Sequence, residues 1–337
     1  MNQTQLLKIN GLKQYFPIRG GFFGRKVNDV KAVDDISFEI NKGEAVSIVG
    51  ESGCGKSTTG RAILRLDEPT EGTIEFNGVD LLSLKRKDMK KARKDLQIIF
   101  QDPYASLNPR LTVRQIIYES MDIQKHVKRQ DREARMFELL ELVGLQRHQA
   151  DLFPHEFSGG QRQRVGIARA LSVDPKLIVC DEAVSALDVS IQAQVLNLLK
   201  KLQKEMELTY LFISHDLGVV RHISDRIIVM YLGKIVEIGD NESIFENPKH
   251  PYTKALLSAI PVPNPKKKSE RILLEGDVPS PIDPPQGCRF HTRCPFATDL
   301  CKEETPQLRT TDGMTENHQA ACHYINEIDF EKVKARV

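Results

Sequence analysis

The chain has 337 residues, 40% hydrophobic and 28% charged, values ordinary for a globular protein with one large domain and a smaller unit. Lys+Arg at 48 against Asp+Glu at 46 leaves a formal charge of +2, so no global basic field argues for nucleic acid. No run of about 18 apolar residues is present, and Met1 to Asn10 lacks the apolar region of a signal peptide. A cytoplasmic location is therefore expected, and with it no disulfide framework for the six cysteines.

Residues 1 to about 80 read as strands and turns. Ile36, Phe38 and Ile40 alternate with polar residues, the period of a half-buried strand. Ala45 to Val49 is a short apolar run, as in a buried parallel strand. Thr73 to Phe76 followed by Asn77-Gly78 predicts a hairpin. From Lys85 to about Leu171 the pattern is helical, with Met136, Leu139, Leu140 and Val143 on one stripe. Leu177 to Cys180 and Tyr210 to Ile213 read as buried strands. The helix between them gathers Ile191, Val195, Leu198, Leu199 and Leu202 on one face. Ile227 to Ile238 predicts a second hairpin, turning near Gly233. Strands alternating with helices imply a mostly parallel sheet with helices on its faces. After Ile260, Pro261, Pro263, Pro265 and Lys266 to Lys268 read as an exposed linker.

Gly50-Glu51-Ser52-Gly53-Cys54-Gly55-Lys56-Ser57 fits G-x-x-x-x-G-K-[ST], placed after a predicted strand and before a predicted helix. Glycines there let backbone N–H groups converge on phosphate oxygens, and the helix N-terminus adds partial positive charge. Lys56 is placed to reach the β- and γ-phosphates and Ser57 to ligate Mg²⁺; Thr58 follows in the same turn. Leu177 to Glu182 is an apolar strand ending in two acids. Asp181 is the candidate for holding Mg²⁺ through water, and Glu182 the candidate base for the attacking water. Cys54 and Cys180 read as small buried residues without chemistry. Ser158-Gly159-Gly160-Gln161 stands at a predicted helix start, a second geometry that presents N–H groups to an anion. Alone, it would read as a plain loop.

In combination these segments resemble the ATP-binding-cassette family of transport ATPases over roughly residues 5 to 260. The phosphate loop resembles Walker A and Leu177 to Glu182 resembles Walker B. Ser158 to Gln161 resembles the family signature, with Phe157 in place of the commoner Leu. Gln101 matches the Q-loop glutamine, Ser185-Ala186-Leu187-Asp188 the D-loop, and His215 the switch histidine. Ala183 stands where many members have Pro. The resemblance implies a RecA-like α/β P-loop core with an antiparallel β-subdomain, and a helical insert at about 104–165. It also implies two ATPase domains paired head to tail, each ATP lying between the Walker A loop of one and the signature of the other. Glu182 would then activate water, and His215 would contact the γ-phosphate. Gln101 would sense Mg²⁺ and γ-phosphate and pass closure to a membrane subunit. Adenine would stack on Phe16, with Tyr15 as the alternative.

Phe100 to Arg110 and the run His250-Pro251-Tyr252-Thr253-Lys254-Ala255-Leu256-Leu257 are similar to the ATPases of bacterial oligopeptide and dipeptide importers, closer to the chain lettered F than to D. The resemblance implies two different ATPase chains, two transmembrane permease subunits, a peptide-binding protein outside, and a peripheral position on the cytoplasmic face of the membrane. Nickel or sugar import is one alternative, and a soluble cassette ATPase acting in translation or DNA repair, which would usually carry two cassettes or a long coiled-coil insertion, is the other. The division expected is a nucleotide-binding domain at 1–260 and an extension at 261–337. In that extension Cys288, Cys294, Cys301 and Cys322 crowd together, which fits a bound metal better than disulfides. Their spacing is neither C-x₂-C nor that of a bacterial ferredoxin. The resemblance favours a [4Fe–4S] cluster; zinc, with His291 and His323 as further ligands, and no metal at all remain open. With a linker before it, the extension is expected to stand apart from the catalytic motifs.

Overall fold

Gly50 and Gly55 bracket a tight strand-to-helix turn, and the elements on either side of it organise the rest of the chain. The structure is a computed structural model that describes residues 4–20, 24–125, 127–260, 272–311, 314–315 and 317–328. The expected linker at Pro261 to Lys268 lies outside the described residues. The first half runs β1 (Gln5–Gly20), β2 (Arg25–Asn41), β3 (Ala45–Val49), α1 (Lys56–Ile63), β4 (Glu71–Phe76) and β5 (Val79–Asp80). There follow α2 (Arg86–Asp95), β6 (Leu96–Ile99), α3 (Pro103–Ser106), α4 (Val113–Gln124), α5 (Arg132–Leu142) and α6 (Gly159–Leu171). Next come β7 (Leu177–Asp181), α7 (Val189–Met206), β8 (Thr209–Ile213), α8 (Leu217–Ile223), β9 (Arg226–Tyr231) and β10 (Lys234–Asp240). The last elements of the described residues are α9 (Asn241–Glu246), α10 (Pro251–Ser258), α11 (Asp299–Glu303) and β11 (Gln319–Ala320).

Two compact units emerge. One takes Met1–Lys8, Glu39–Ala45 and Glu75–Ile213; the other takes Ile9–Phe38, Val46–Ile74 and Ser214–Val337. In the first unit β6, β7 and β8 are parallel, pairing Leu96 with Leu177 and Leu177 with Thr209. Every residue of β7 and β8 is buried, which is why these strands read as unbroken apolar runs. β6 corrects the helical reading of Lys85 to Leu171: Leu96 and Ile99 are its buried positions, and four residues between helices are too short to impose a strand period. α5 buries Met136, Leu139 and Leu140 as the stripe predicts. α7 buries Val195, Leu196, Leu198, Leu199 and Leu202, with Ile191 half-buried.

In the second unit β3 pairs parallel with β9, and β9, β10 and β11 continue antiparallel. The β9–β10 hairpin turns at Leu232 and Gly233, both at positive φ, as expected. The β4–β5 hairpin likewise turns at Asn77-Gly78, both at positive φ. β2, β1 and β4 lie side by side, and Gly72 comes so close to the Gly11 carbonyl that a Cβ would sit 2.7 Å from it. The core of this unit joins Val49, Val220, Ile227, Val229, Tyr231 and Tyr252 to Phe290 of the cysteine segment. Phe290 is fully enclosed, an anchor contributing about 1.5–3 kcal/mol of burial. The extension therefore folds onto the strands that carry the phosphate loop, and the expectation that it stands apart is corrected.

Candidate functional site

The phosphate loop begins where β3 ends. A Cβ at Gly50 would lie 2.2 Å from the Met230 carbonyl oxygen, and one at Gly55 2.1 Å from that of Ala32. Both hold positive φ, so side chains are excluded there by sterics and by backbone conformation together; Gly53 also holds positive φ, but in open space. The result is a cradle of bare backbone leading into α1, with Ser57 and Thr58 in its first turn. Lys56 is buried, and its Nζ donates to the carbonyls of Gly50 at 2.8 Å and Glu51 at 2.9 Å. Its ammonium thus lies folded over the loop. Ser52 lies between these glycines on the exposed side.

The acidic pair closes β7. Asp181 is buried at the strand end; Glu182 leaves it at φ 48 and donates its N–H to Ile213 at 2.9 Å. The Ser185 hydroxyl donates to the Glu182 carbonyl at 3.0 Å. Gln101, just after β6, donates from Nε2 to the Glu182 carboxylate at 2.8 Å. Two candidate site residues 81 positions apart in the sequence are therefore in direct contact. Ala183 is buried, in keeping with an apolar role at that position.

Ser158 caps α6. Its hydroxyl accepts the Gln161 N–H at 3.3 Å, and the Gln161 side chain accepts the Ser158 N–H at 3.0 Å, a reciprocal capping box. Ser158 and Gly159 are exposed, and Phe157 is buried behind them. Gly160 allows α6 and α7 to touch: a Cβ there would meet the Ile191 side chain at 2.4 Å. His215, in the other unit, is exposed after β8. Phe16 on β1 is 38% exposed, whereas the hydroxyl of Tyr15 is engaged by Asp34.

Cys288, Cys294, Cys301 and Cys322 line one cavity of about 340 Å³, counting the solvent it opens to, together with His291 and His323. Burial first, and the neighbouring thiols after it, push Cys288 up to about 11 and Cys294 up to about 12, and Cys322 is raised as well. Among the described residues no group of three or more His, Cys, Asp or Glu is arranged to hold a metal ion. His291 Nδ1 is engaged by the Cys288 carbonyl at 2.8 Å and His323 Nε2 by that of Glu304 at 3.0 Å.

Several residues of this region were not read from the sequence. The Tyr252 hydroxyl accepts the Glu51 N–H at 2.8 Å, and Arg293 grips the Glu51 carboxylate at 2.8 and 3.3 Å. Glu237, fully buried, accepts from His318 at 2.7 Å and from the backbone N–H groups of Lys249 and His250 at 2.7 and 2.9 Å. The run from His250 to Leu257 signalled only a resemblance; its physical content is this cap and the Tyr252 bond.

A glycine cradle with a buried lysine, an acid-tipped buried strand and a capped Ser-Gly-Gly turn define a P-loop ATPase of the cassette type. The ABC transporter family profile matches residues 33–185, and the profile of the oligopeptide/dipeptide transporter C-terminal region matches residues 236–301. The oligopeptide transport ATP-binding protein AppF of Bacillus subtilis (strain 168) is 55% identical over 325 residues, 96% of this chain and 98% of that protein. The putative oligopeptide transport ATP-binding protein YkfD of the same organism is 53% identical over 340 residues, 99% of this chain and 100% of that one. Among solved structures, cbiO1 from Clostridium perfringens, part of the transporter complex cbiONQ, superposes with a TM-score of 0.63 at 27% identity, covering 73% of this chain and 92% of that one. The ATP-binding cassette MJ0796, solved as a dimer in a post-hydrolysis state with ADP and Pi, gives 0.62 at 30% identity, covering 70% of this chain and 99% of that one.

The chain belongs to the ABC transporter ATPases, in their oligopeptide/dipeptide branch. Its fold is the P-loop cassette expected from the sequence, and its reaction is ATP hydrolysis with Mg²⁺. Among the described residues no helix is long and apolar enough to cross a membrane.

Proposed function

We propose that this chain is the ATP-hydrolysing subunit that powers oligopeptide or dipeptide import, attached peripherally to the cytoplasmic face of a bacterial membrane. The observation that carries this reading is similarity at 55% to an oligopeptide transport ATP-binding protein along 96% of the chain, C-terminal segment included. Its partners are two permease subunits, an external peptide-binding protein and a second, homologous ATPase, this chain being the F-type member of the pair. Residues 1–260 form the nucleotide-binding domain, with the helical insert at about 104–165, and residues 261–337 the extension.

Residue by residue, Gly50, Ser52, Gly53, Gly55, Lys56, Ser57 and Thr58 bind the phosphates. Phe16 stacks on adenine; its exposed ring supports it over Tyr15, whose hydroxyl is tied. Mg²⁺, held by Ser57, Gln101 and Asp181, would offset phosphate charge. Glu182 takes the proton of the attacking water, and the bond from Gln101 supports its orientation for that role. His215 contacts the γ-phosphate. Ser158, Gly159, Gly160 and Gln161 act on nucleotide held by the partner ATPase; the exposure of Ser158 and Gly159 and the lack of a charged side chain in the motif support an interaction completed only in trans.

The four cysteines, we further propose, hold a [4Fe–4S] cluster, which would supply the segment with a rigid cross-link. Their placement around one cavity supports a shared metal group. Anaerobic purification with iron, sulfide and zinc analysis checks this: iron with sulfide is expected, and zinc alone or neither metal contradicts it. For the transport role, the complex isolated from membranes should contain permease and a second ATPase, and Lys56→Ala should abolish peptide uptake. Retained peptide uptake, or loss of nickel uptake instead, contradicts it.

A further inference from the structure

Glu51 places a carboxylate inside the loop that this chain uses for a polyanion. Left bare, that charge opposes every phosphate brought to the cradle. The structure supplies its counter-charge from 242 residues away. Arg293 lies one residue before Cys294, its side chain only 8% exposed, and donates from both terminal nitrogens to the two oxygens of Glu51. A forked guanidinium on a carboxylate fixes direction as well as charge. The same short turn is held from other sides. Phe290 packs against Tyr231, Tyr252 and His250 at centroid distances of 5.2, 5.4 and 5.6 Å. Arg289 donates to the Leu232 carbonyl and to Asp34, which also accepts the Tyr15 hydroxyl.

On the loop itself, three of these contacts meet. Tyr252 accepts the Glu51 N–H, Gly233 donates to the Cys54 carbonyl at 2.9 Å, and Arg293 takes the Glu51 side chain. The first two anchor backbone only. Arg293 alone among them both orients the loop and cancels its adverse charge.

We infer that Arg293 is a positioning residue of the nucleotide site: by neutralising and holding Glu51 it keeps the phosphate loop receptive to ATP, which makes the cysteine segment a working part of that site. The inference rests on the ATP-binding role of the loop and goes beyond it by assigning a function to the extension. Whatever rearranges the turn between Cys288 and Cys294 then reaches the phosphates through one ion pair. By linkage, bound nucleotide acts back on the segment to the same extent.

The test is equilibrium binding of a fluorescent ATP analogue to the purified full chain, which carries a single phosphate loop, across a double-mutant cycle of Arg293→Ala and Glu51→Gln. Arg293→Ala should weaken binding about tenfold, because the carboxylate is left uncompensated and free to move. Glu51→Gln should bind at least as tightly as the parent. The double variant should recover most of the loss, which a merely structural role in docking the segment would not allow. If Arg293→Ala does not fold, Arg293→Lys carries the same cycle: an ammonium cannot make the forked pair, so a several-fold loss, again recovered by Glu51→Gln, is expected. Parental affinity in the arginine variant, or no recovery in the double variant, overturns the inference. Absence of binding by the parent chain would instead count against the ATPase reading itself.

Discussion

The two Gly-rich turns at helix starts in this molecule, at 50–57 and at 158–161, look alike in sequence and are built on opposite plans. The phosphate loop is held from outside: backbone oxygens crowd Gly50 and Gly55, Tyr252 and Gly233 bond its backbone, and Lys56 is folded over it. The Ser158 turn is satisfied from within by its capping box, and it exposes Ser158 and Gly159 without a cation in the motif. A loop that must bind a polyanion by itself needs enforced shape and charge. A loop proposed to complete another molecule's site needs a stable shape and an open face. The difference lies in what surrounds each glycine, which no short motif records.

Substitutions can break that contrast. Lys56→Ala should weaken ATP binding to this chain on the order of a hundredfold, because one cation and its charge-assisted bonds to phosphate are lost. Ser158→Arg should leave binding of ATP to the same isolated chain unchanged while abolishing closure with the partner ATPase. Measured side by side on purified chains, equal losses for the two would erase the distinction.

Smaller effects separate the glycines. Gly55→Ala puts a Cβ on a backbone oxygen at positive φ and should cost about 3 kcal/mol or more of unfolding free energy in urea. Gly160→Ala meets a movable Ile191 side chain and should cost about 1–2 kcal/mol. Gly159→Ala, whose Cβ would sit 3.5 Å from Leu187, should stay within about 0.5 kcal/mol. A Gly159 variant as damaging as Gly55→Ala would show that the exposed face of the Ser158 turn is also constrained from outside.

Acid should act on the phosphate-loop side. Burial pushes His250 down to about 4 from an ordinary value near 6.5, so it is neutral in the folded chain. An unfolded chain takes up this proton first as pH falls. The stability in question is therefore full above about pH 6.5 and is lost progressively towards about pH 4. His250 caps α10 through its Nδ1, which accepts the Tyr252 N–H at 3.1 Å, so protonation also removes that acceptor. Unfolding midpoints measured between pH 7 and pH 4.5 should fall, and His250→Asn, a cap that does not titrate in this range, should flatten the slope. An unaltered slope in that variant assigns the acid sensitivity elsewhere.

The local parts of this molecule were legible in the sequence. Walker-type loops, buried strands and both hairpins depend on residues within about ten positions of each other, and their glycines and apolar runs appear where the structure uses them. β6 was hidden because four residues carry no readable period. The grip of Arg293 on Glu51 was hidden for the opposite reason: two charged residues 242 positions apart leave no mark on any local pattern. The proline-rich stretch suggested an appendage, but Phe290 is a core residue of the unit that holds the phosphate loop, and only packing reveals that.

The most direct test of the account is Glu182→Gln in the assembled transporter, with the site of the proposed partner ATPase inactivated. The carboxylate at the end of β7 is assigned a role in the transition state and none in holding nucleotide. ATP should therefore bind with parental affinity while turnover falls on the order of a hundredfold or more. Near-parental hydrolysis by that variant would contradict the assignment of Glu182.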